Sequence, residues 1–287
     1  MDQPKAGSIK GVSKAKLAPL LPGDHGAYAM LLVPEFCGLV VGWMQGVSGG
    51  AGLGAGALLL TLALLGSFFA YEPLDVLTRP GVNPAARQRA QLWLALYLGI
   101  AVTSGLLLIL VWQRWGLVLI GLGGLLPPLA YLIAKKWRRQ RSLGVRLAGI
   151  AGLTLSAPAA FYLFTGRWDG LALGLWLAAL VYFGSNLFYV RAWFEVRKQA
   201  KINHRNTIPG WLLRATLAYL GLGLLALLGF IGLGWLPWTV LLIFTPLVVK
   251  LAMAWRRPPV YLPIKQIGLF EFSQSFIFAL LLIFTLR

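Results

Sequence analysis

The feature that most constrains this chain is a succession of apolar runs. Each is about 20 residues long, enough for a helix to cross the roughly 30 Å hydrocarbon core of a bilayer. They fall at roughly 26–46, 51–71, 91–112, 115–134, 145–165, 169–189, 211–232, 235–255 and 267–286. No run alternates with period two as a barrel strand does. A backbone in hydrocarbon must also satisfy its own hydrogen bonds, so each run predicts a helix. Of the 287 residues, 59% are hydrophobic and 12% charged, against about a quarter charged in a soluble domain. The expected fold is all-α: a polytopic bundle of nine transmembrane helices in one domain, 25–287, behind a basic tail at 1–24.

The net charge of +18 raises the question of nucleic acid, and the placement of the charges answers it. Summed by side, 23 of the 26 Lys and Arg fall in the tail and in alternate connections and their flanks, Lys250 included; only Arg114, Arg167 and Arg287 fall on the other side. Such asymmetry is the signature of topology, not of nucleic-acid binding, and it predicts a cytoplasmic basic face. Trp112, Trp115, Trp168, Trp235 and Trp238 gather at the sparse face as an interfacial belt. The expected location is the cell's inner, cytoplasmic membrane, with the N-terminus inside and membrane lipids as partners. Lys5, Lys10, Lys14 and Lys16 resemble the start of a signal peptide. The run that follows is too long for one and ends without a small-residue cleavage site, so an uncleaved tail is expected. The single cysteine, Cys37, reads as a small buried hydrophobe, with no disulfide partner or metal motif.

Ionisable and polar groups at membrane depth are costly, so each one is a candidate. In the first segment, His25 stands where the first run enters the bilayer, after the potential N-cap Asp24; it faces either headgroups or a cavity. Glu35 lies about 15 Å deeper along the same helix. In YEPLDVLTRPG, Glu72 and Asp75 share a face if the helix persists through Pro73. They suit one Mg²⁺ or an ion pair with Arg79. The segment FGSNLFYVRAWFEVRKQAKINHRN carries Asn186, Tyr189, Arg191 and Arg197, with Glu195 four residues after Arg191, a spacing suited to a helical ion pair. Guanidinium groups there suit phosphate or carboxylate, or anchor the span to anionic lipid. In YLPIKQIGLFEFSQSF, Lys265 precedes a polar stripe of Glu271, Gln274 and Ser275, whose three- and four-residue spacing faces protein or water.

An echo links two segments. Gly66-Ser67 precedes Tyr71 and Arg79 at the same spacings by which Gly184-Ser185 precedes Tyr189 and Arg197. Chance and duplication both account for it. The chain has no Gly-rich nucleotide loop, no paired Cys/His spacing and no Gly-x-Ser-x-Gly elbow, which weighs against an ATPase, a metalloprotease and a serine hydrolase.

The stretches HGAYAMLLVP, YEPLDVLTR, SNLFYVR and IKQIGLFE, spread along the chain, resemble the YwiC-like family of bacterial integral membrane proteins. That resemblance implies a membrane protein rather than a particular activity. In architecture the chain is similar to the UbiA-type prenyltransferases, with polar segments after spans two and six. This likeness implies an isoprenoid diphosphate held through Mg²⁺ by aspartate-rich motifs in those segments. The chain departs from it by lacking the Asn-Asp-x-x-Asp-x-x-x-Asp motif and by offering Glu195 and arginines in the second segment. Two functions are therefore expected. One is a UbiA-like intramembrane transferase-type enzyme acting on an anionic isoprenoid or lipid at the cytoplasmic face. The other is a non-enzymatic carrier or assembly factor for a small anion or lipid. Either would use the same site, formed by His25, Glu72, Asp75, Arg79, Asn186, Tyr189, Arg191, Arg197, Lys265 and Glu271, with arginine favoured over Mg²⁺ and no cofactor certain.

Overall fold

The computed structural model describes residues 18–23, 25–46, 53–139, 142–203, 208–256 and 264–287; for residues 25, 201–203, 264–265 and 267 it describes the backbone alone. Among the described residues every element is helical, and nine helical spans are long and apolar enough to cross a membrane. In order these are α1 (His25–Gln45), α2 (Leu53–Phe69) with the short α3 (Tyr71–Leu77), α4 (Pro84–Trp112) and α5 (Leu117–Lys136). The fifth span is α6 (Leu143–Leu153) with α7 (Ser156–Thr165), followed by α8 (Gly170–Asn203) and α9 (Gly210–Gly232). A 3₁₀ segment (Trp238–Phe244) leads into α10 (Thr245–Arg256), and α11 (Ile264–Thr285) is last.

Two spans expected to be continuous helices are broken, and a proline follows close on each break. Pro158 has no N–H for the carbonyl four residues back, that of Thr154. That carbonyl takes the Ala157 N–H instead, at 3.1 Å, and the chain steps from α6 to α7. Pro246 likewise leaves the Leu242 carbonyl to the N–H of Thr245, where the 3₁₀ first half of span eight passes into α10. A run of that length is uncommon because its hydrogen bonds are poorly aligned. Pro73 stands third in α3 as Pro158 stands third in α7, in a first turn where an N–H has no intrahelical partner.

The described residues group into two compact units: 18–23 with Leu59–Leu108, and 25–58 with Ile109–Arg287. In the first, α2 and α4 meet at Gly66, where a Cβ would lie 2.8 Å from the Tyr97 carbonyl oxygen. Tyr97 packs edge-on against Phe69, ring centroids 5.5 Å apart. The Arg89 guanidinium donates two hydrogen bonds, 2.9 and 2.5 Å, to the Ala18 carbonyl.

The second unit is organised around α8, against which α1, α6, α7, α9 and α10 pack. Its 34 residues extend about 50 Å, well beyond one hydrocarbon thickness. Asp169 caps the start of α8 by accepting the Ala172 N–H at 3.1 Å. The closest helix pair is α1 with α7. Gly38 and Gly42 on one face of α1, and Gly46 just past its end, lie against Ala157, Phe161 and Phe164; a Cβ at Gly38 would fall 2.1 Å from the Ala157 carbonyl oxygen. Small residues at this spacing let backbones approach, which is how membrane helices gain packing where lipid is as apolar as leucine. Ser156 adds a buried hydrogen bond of 2.7 Å from its hydroxyl to the Leu31 carbonyl.

The two echoed segments share part of their structure. Ser67 and Ser185 both donate their hydroxyls to the carbonyl four residues back, at 2.8 and 2.6 Å. Both glycines sit under a close neighbour: Gly66 under the α4 backbone and Gly184 under the Tyr219 ring. The two arginines differ. Arg79 binds a carboxylate and Arg197 lies over a tryptophan.

Candidate functional site

Buried polar groups converge where α8, α10 and α11 meet, and their centre is Lys250. Grouped by sequence with the loop cations, it instead lies inside α10 and is 5% exposed. The helical register explains the placement. Leu247, Lys250, Leu251 and Ala254 follow one another at spacings of three, one and three, and these are the buried residues of α10. The lysine therefore stands in the helix's inward stripe. Its Nζ donates to Asn186 Oδ1 at 2.7 Å and to the two carboxylate oxygens of Glu271 at 2.9 and 3.1 Å. It also lies 4.5 Å from the centroid of the Tyr189 ring, within reach of a cation–π interaction.

Each partner occupies the inward stripe of its own helix. On α8, Tyr182, Ser185, Asn186, Tyr189 and Trp193 are all buried at helical spacing. On α11, Gln274, Ser275, Phe278, Ala279 and Leu282 are buried along the face that carries Glu271. An ammonium has three N–H groups, and here they meet one amide oxygen and one carboxylate. Such pairing is what makes a charge tolerable away from water.

The centre also contains polar atoms without partners. Tyr182 is 1% exposed and stacks on Phe278, ring centroids 4.2 Å apart. Its hydroxyl lies beside Asn186 and Ser275 without hydrogen-bond geometry to either. Ser275 donates its own hydroxyl to the Glu271 carbonyl at 2.8 Å. Gln274, 8% exposed, has its Oε1 buried and unpaired.

The remaining candidates are placed as follows. Arg191 lies over the Trp211 ring at 5.3 Å, and among the described residues it forms no ion pair with Glu195, against the expectation from their spacing. From Asn186, five residues advance the direction about 140° around the helix, so Arg191 leaves the Lys250 face. Arg197 returns to that face further along and lies over Trp193 at 5.0 Å. Glu72, Asp75 and Arg79 form a cluster of their own in the first unit. Asp75 Oδ2 accepts Arg79 Nε at 3.0 Å and Nη2 at 2.5 Å, while Glu72 stands 4.0 Å from Arg79. Arg79 remains 54% exposed. Among the described residues no three His, Cys, Asp or Glu come together. Glu35 is buried within α1. Asp24 and the side chains of His25 and Lys265 lie outside what is described.

Sequence reasoning therefore found Asn186, Tyr189 and Glu271 and passed over Lys250 and Tyr182. The signal for Lys250 was present: one cation in FTPLVVKLAMAW, six residues before Arg256. Tyr182 gave none, since a tyrosine in an apolar run has the pattern of core.

The model of the YwiC-like protein family matches residues 21–161, which reach from just before α1 into α7. Over 270 residues the chain is 26% identical to the uncharacterized protein YwiC of Bacillus subtilis (strain 168), covering 93% of this chain and 99% of that protein. No solved structure matches. The family model reaches from the first span into the fifth and the Bacillus alignment covers most of the chain, so the chain is similar to YwiC-like proteins along most of its length.

Proposed function

We propose that this protein binds an anionic isoprenoid or lipid from the cytoplasmic side of the inner membrane, receiving its acidic headgroup at Lys250. The observation that carries the reading is a buried cation paired with a single carboxylate at the meeting of three helices. Intramembrane ionisable residues of this kind mark substrate or ion pathways. If α8 starts at the outer interface, Asn186 and Tyr189 lie about 24–29 Å along it, near the inner headgroups. Arg197 stands further along the same face, toward the basic end of the helix.

The enzymatic form of this reading is a transferase in the UbiA manner. For Mg²⁺ the donor set is a poor fit: the Asp75 carboxylate is already taken by Arg79, and Glu72 faces the same guanidinium. Charge-assisted hydrogen bonds from Lys and Arg neutralise a headgroup without metal. The carrier form has its own support. Glu271 acts as a resident anion that a ligand must displace from Lys250, so loading and release become one exchange. On this geometry the binding function is our conclusion, and the carrier is its closer form.

Native mass spectrometry of the full chain, purified without added lipid, tests it. Acidic lipid should be retained by the wild type and lost in Lys250→Met. Equal retention by both would refute the reading. Addition of EDTA should leave binding unchanged; its loss on chelation would return the metal mechanism.

A further inference from the structure

At the cation-poor end of the second unit, two turns are built onto each other. One joins α4 to α5 and carries Arg114 and Trp115; the other joins α7 to α8 and carries Arg167 and Trp168. Gln113 reverses the first in the left-handed region at φ 57°, and Gly166 the second at φ 65°. The Tyr162 hydroxyl accepts the Gly116 N–H at 3.0 Å, and the Tyr162 ring stacks on Trp168 with centroids 4.8 Å apart. Thr165 Oγ1 accepts the Arg167 N–H at 3.2 Å. The Arg114 side chain crosses to the second turn and lies against Gly166, where a Cβ would overlap Nη1. Arg167 is the next residue, its Cα about 3.8 Å from that of Gly166.

Two of the three cations on this side of the chain are thus brought to one place. Among the described residues neither guanidinium has a hydrogen bond or an ion pair, and Arg114 Nε is buried without an acceptor. The nearby carboxylate, Asp169, is engaged with the Ala172 N–H at the start of α8. Like charges drawn together repel unless an anion lies between them. The surroundings are aromatic and open: Trp115 is 61% exposed and Trp168 41%.

We infer that these two turns bind the phosphate of an acidic phospholipid in the leaflet opposite the basic loops. The site is independent of the Lys250 centre, which lies about 24 Å further along α8. Guanidinium groups match phosphate oxygens in geometry and charge. Exposed tryptophans settle at the headgroup level, with their rings toward the acyl chains. Their presence beside the arginines makes a lipid phosphate, rather than a free one, the occupant. No cavity is required, because the headgroup lies on the surface of the turns and its chains lie in the bilayer.

The test titrates phosphatidylglycerol and phosphatidylcholine of identical acyl chains onto the delipidated full chain in detergent, read by native mass spectrometry. Wild type and Lys250→Met are run side by side, so that this site is read apart from the Lys250 centre. Phosphatidylglycerol should be preferred by both proteins. Arg114→Gln and Arg167→Gln, made separately, should each weaken its binding about fivefold or more, and the double variant should weaken it further. Arg167→Lys should retain binding only in part, because the planar fork is lost. Arg167 is exposed, so Arg167→Gln should melt with the wild type and keeps the test independent of any damage at Arg114. Unchanged phosphatidylglycerol binding in the double variant, or equal binding of phosphatidylcholine by the wild type, would overturn the inference. Full displacement of the lipid by millimolar inorganic phosphate at constant ionic strength would make the occupant a free anion and overturn the lipid assignment.

Discussion

The pairing of Lys250 with Glu271 predicts a strong non-additivity that can be measured without knowing the ligand. Lys250→Met leaves the Glu271 carboxylate buried without its cation, and Glu271→Leu leaves the ammonium with only Asn186 and the Tyr189 face. Removing one partner of a buried ion pair costs about 3–5 kcal/mol. Replacing both by apolar groups of similar volume removes the charges together and is nearly neutral in itself. What remains is Asn186 Oδ1 deprived of its donor, about 1 kcal/mol or somewhat more. Each single variant should therefore lose at least ~3 kcal/mol and the double variant about 1–2 kcal/mol. The coupling between the two sites is then several kcal/mol, far outside the few tenths expected of independent positions. Thermal unfolding of the purified protein in one detergent, wild type and three variants side by side, reads this out. At 2–4 °C per kcal/mol, roughly the scale for domains of 150–250 residues, each single variant should fall by about 6 °C or more and the double variant by less than either. A double variant that falls by the sum of the singles would show that the two residues do not depend on each other, and the site would be wrong.

Two further expectations follow from packing and charge. At Gly38 an added methyl would collide with the Ala157 backbone, so Gly38→Ala should destabilise by about 1–3 kcal/mol, whereas Gly99→Ala, where nothing lies within 4 Å, should be neutral or mildly stabilising; equal melting points for the two would refute the α1–α7 contact. The excess of cations on one face predicts that cysteines placed at positions 138 and 203 of a Cys37→Ala background are protected from an impermeant reagent in intact cells; labelling of both from outside would reverse the topology.

Much of this fold is legible in the residues alone. Lengths of apolar runs set the number and order of the spans, because a backbone crossing hydrocarbon must be a helix of about 20 residues. The breaks in spans five and eight were legible in principle too. Pro158 and Pro246 each withdraw one N–H from a definite carbonyl, and the run length that identifies a span takes no account of it. Gly38, Gly42 and Gly46 carried a packing signal in their four-residue spacing.

Tertiary structure alone decided the site. Near the end of an apolar run, a lysine that snorkels to headgroups and one that turns inward to a partner have the same local sequence. What distinguishes them is the rotation of α10 about its axis. Its packing against α8 and the 3₁₀ segment sets that rotation, and so whether the stripe of Leu247, Lys250, Leu251 and Ala254 faces protein or lipid. The same holds for Glu271, which the sequence placed on a polar stripe without naming its counter-ion 21 residues earlier. Arg191 shows the converse. It stands five residues from Asn186 in the most polar segment of the chain, yet the 100° advance per residue turns it toward Trp211 and away from the ion pair. Composition and periodicity specify which residues must leave lipid; the angle at which one helix meets another decides what they meet when they do.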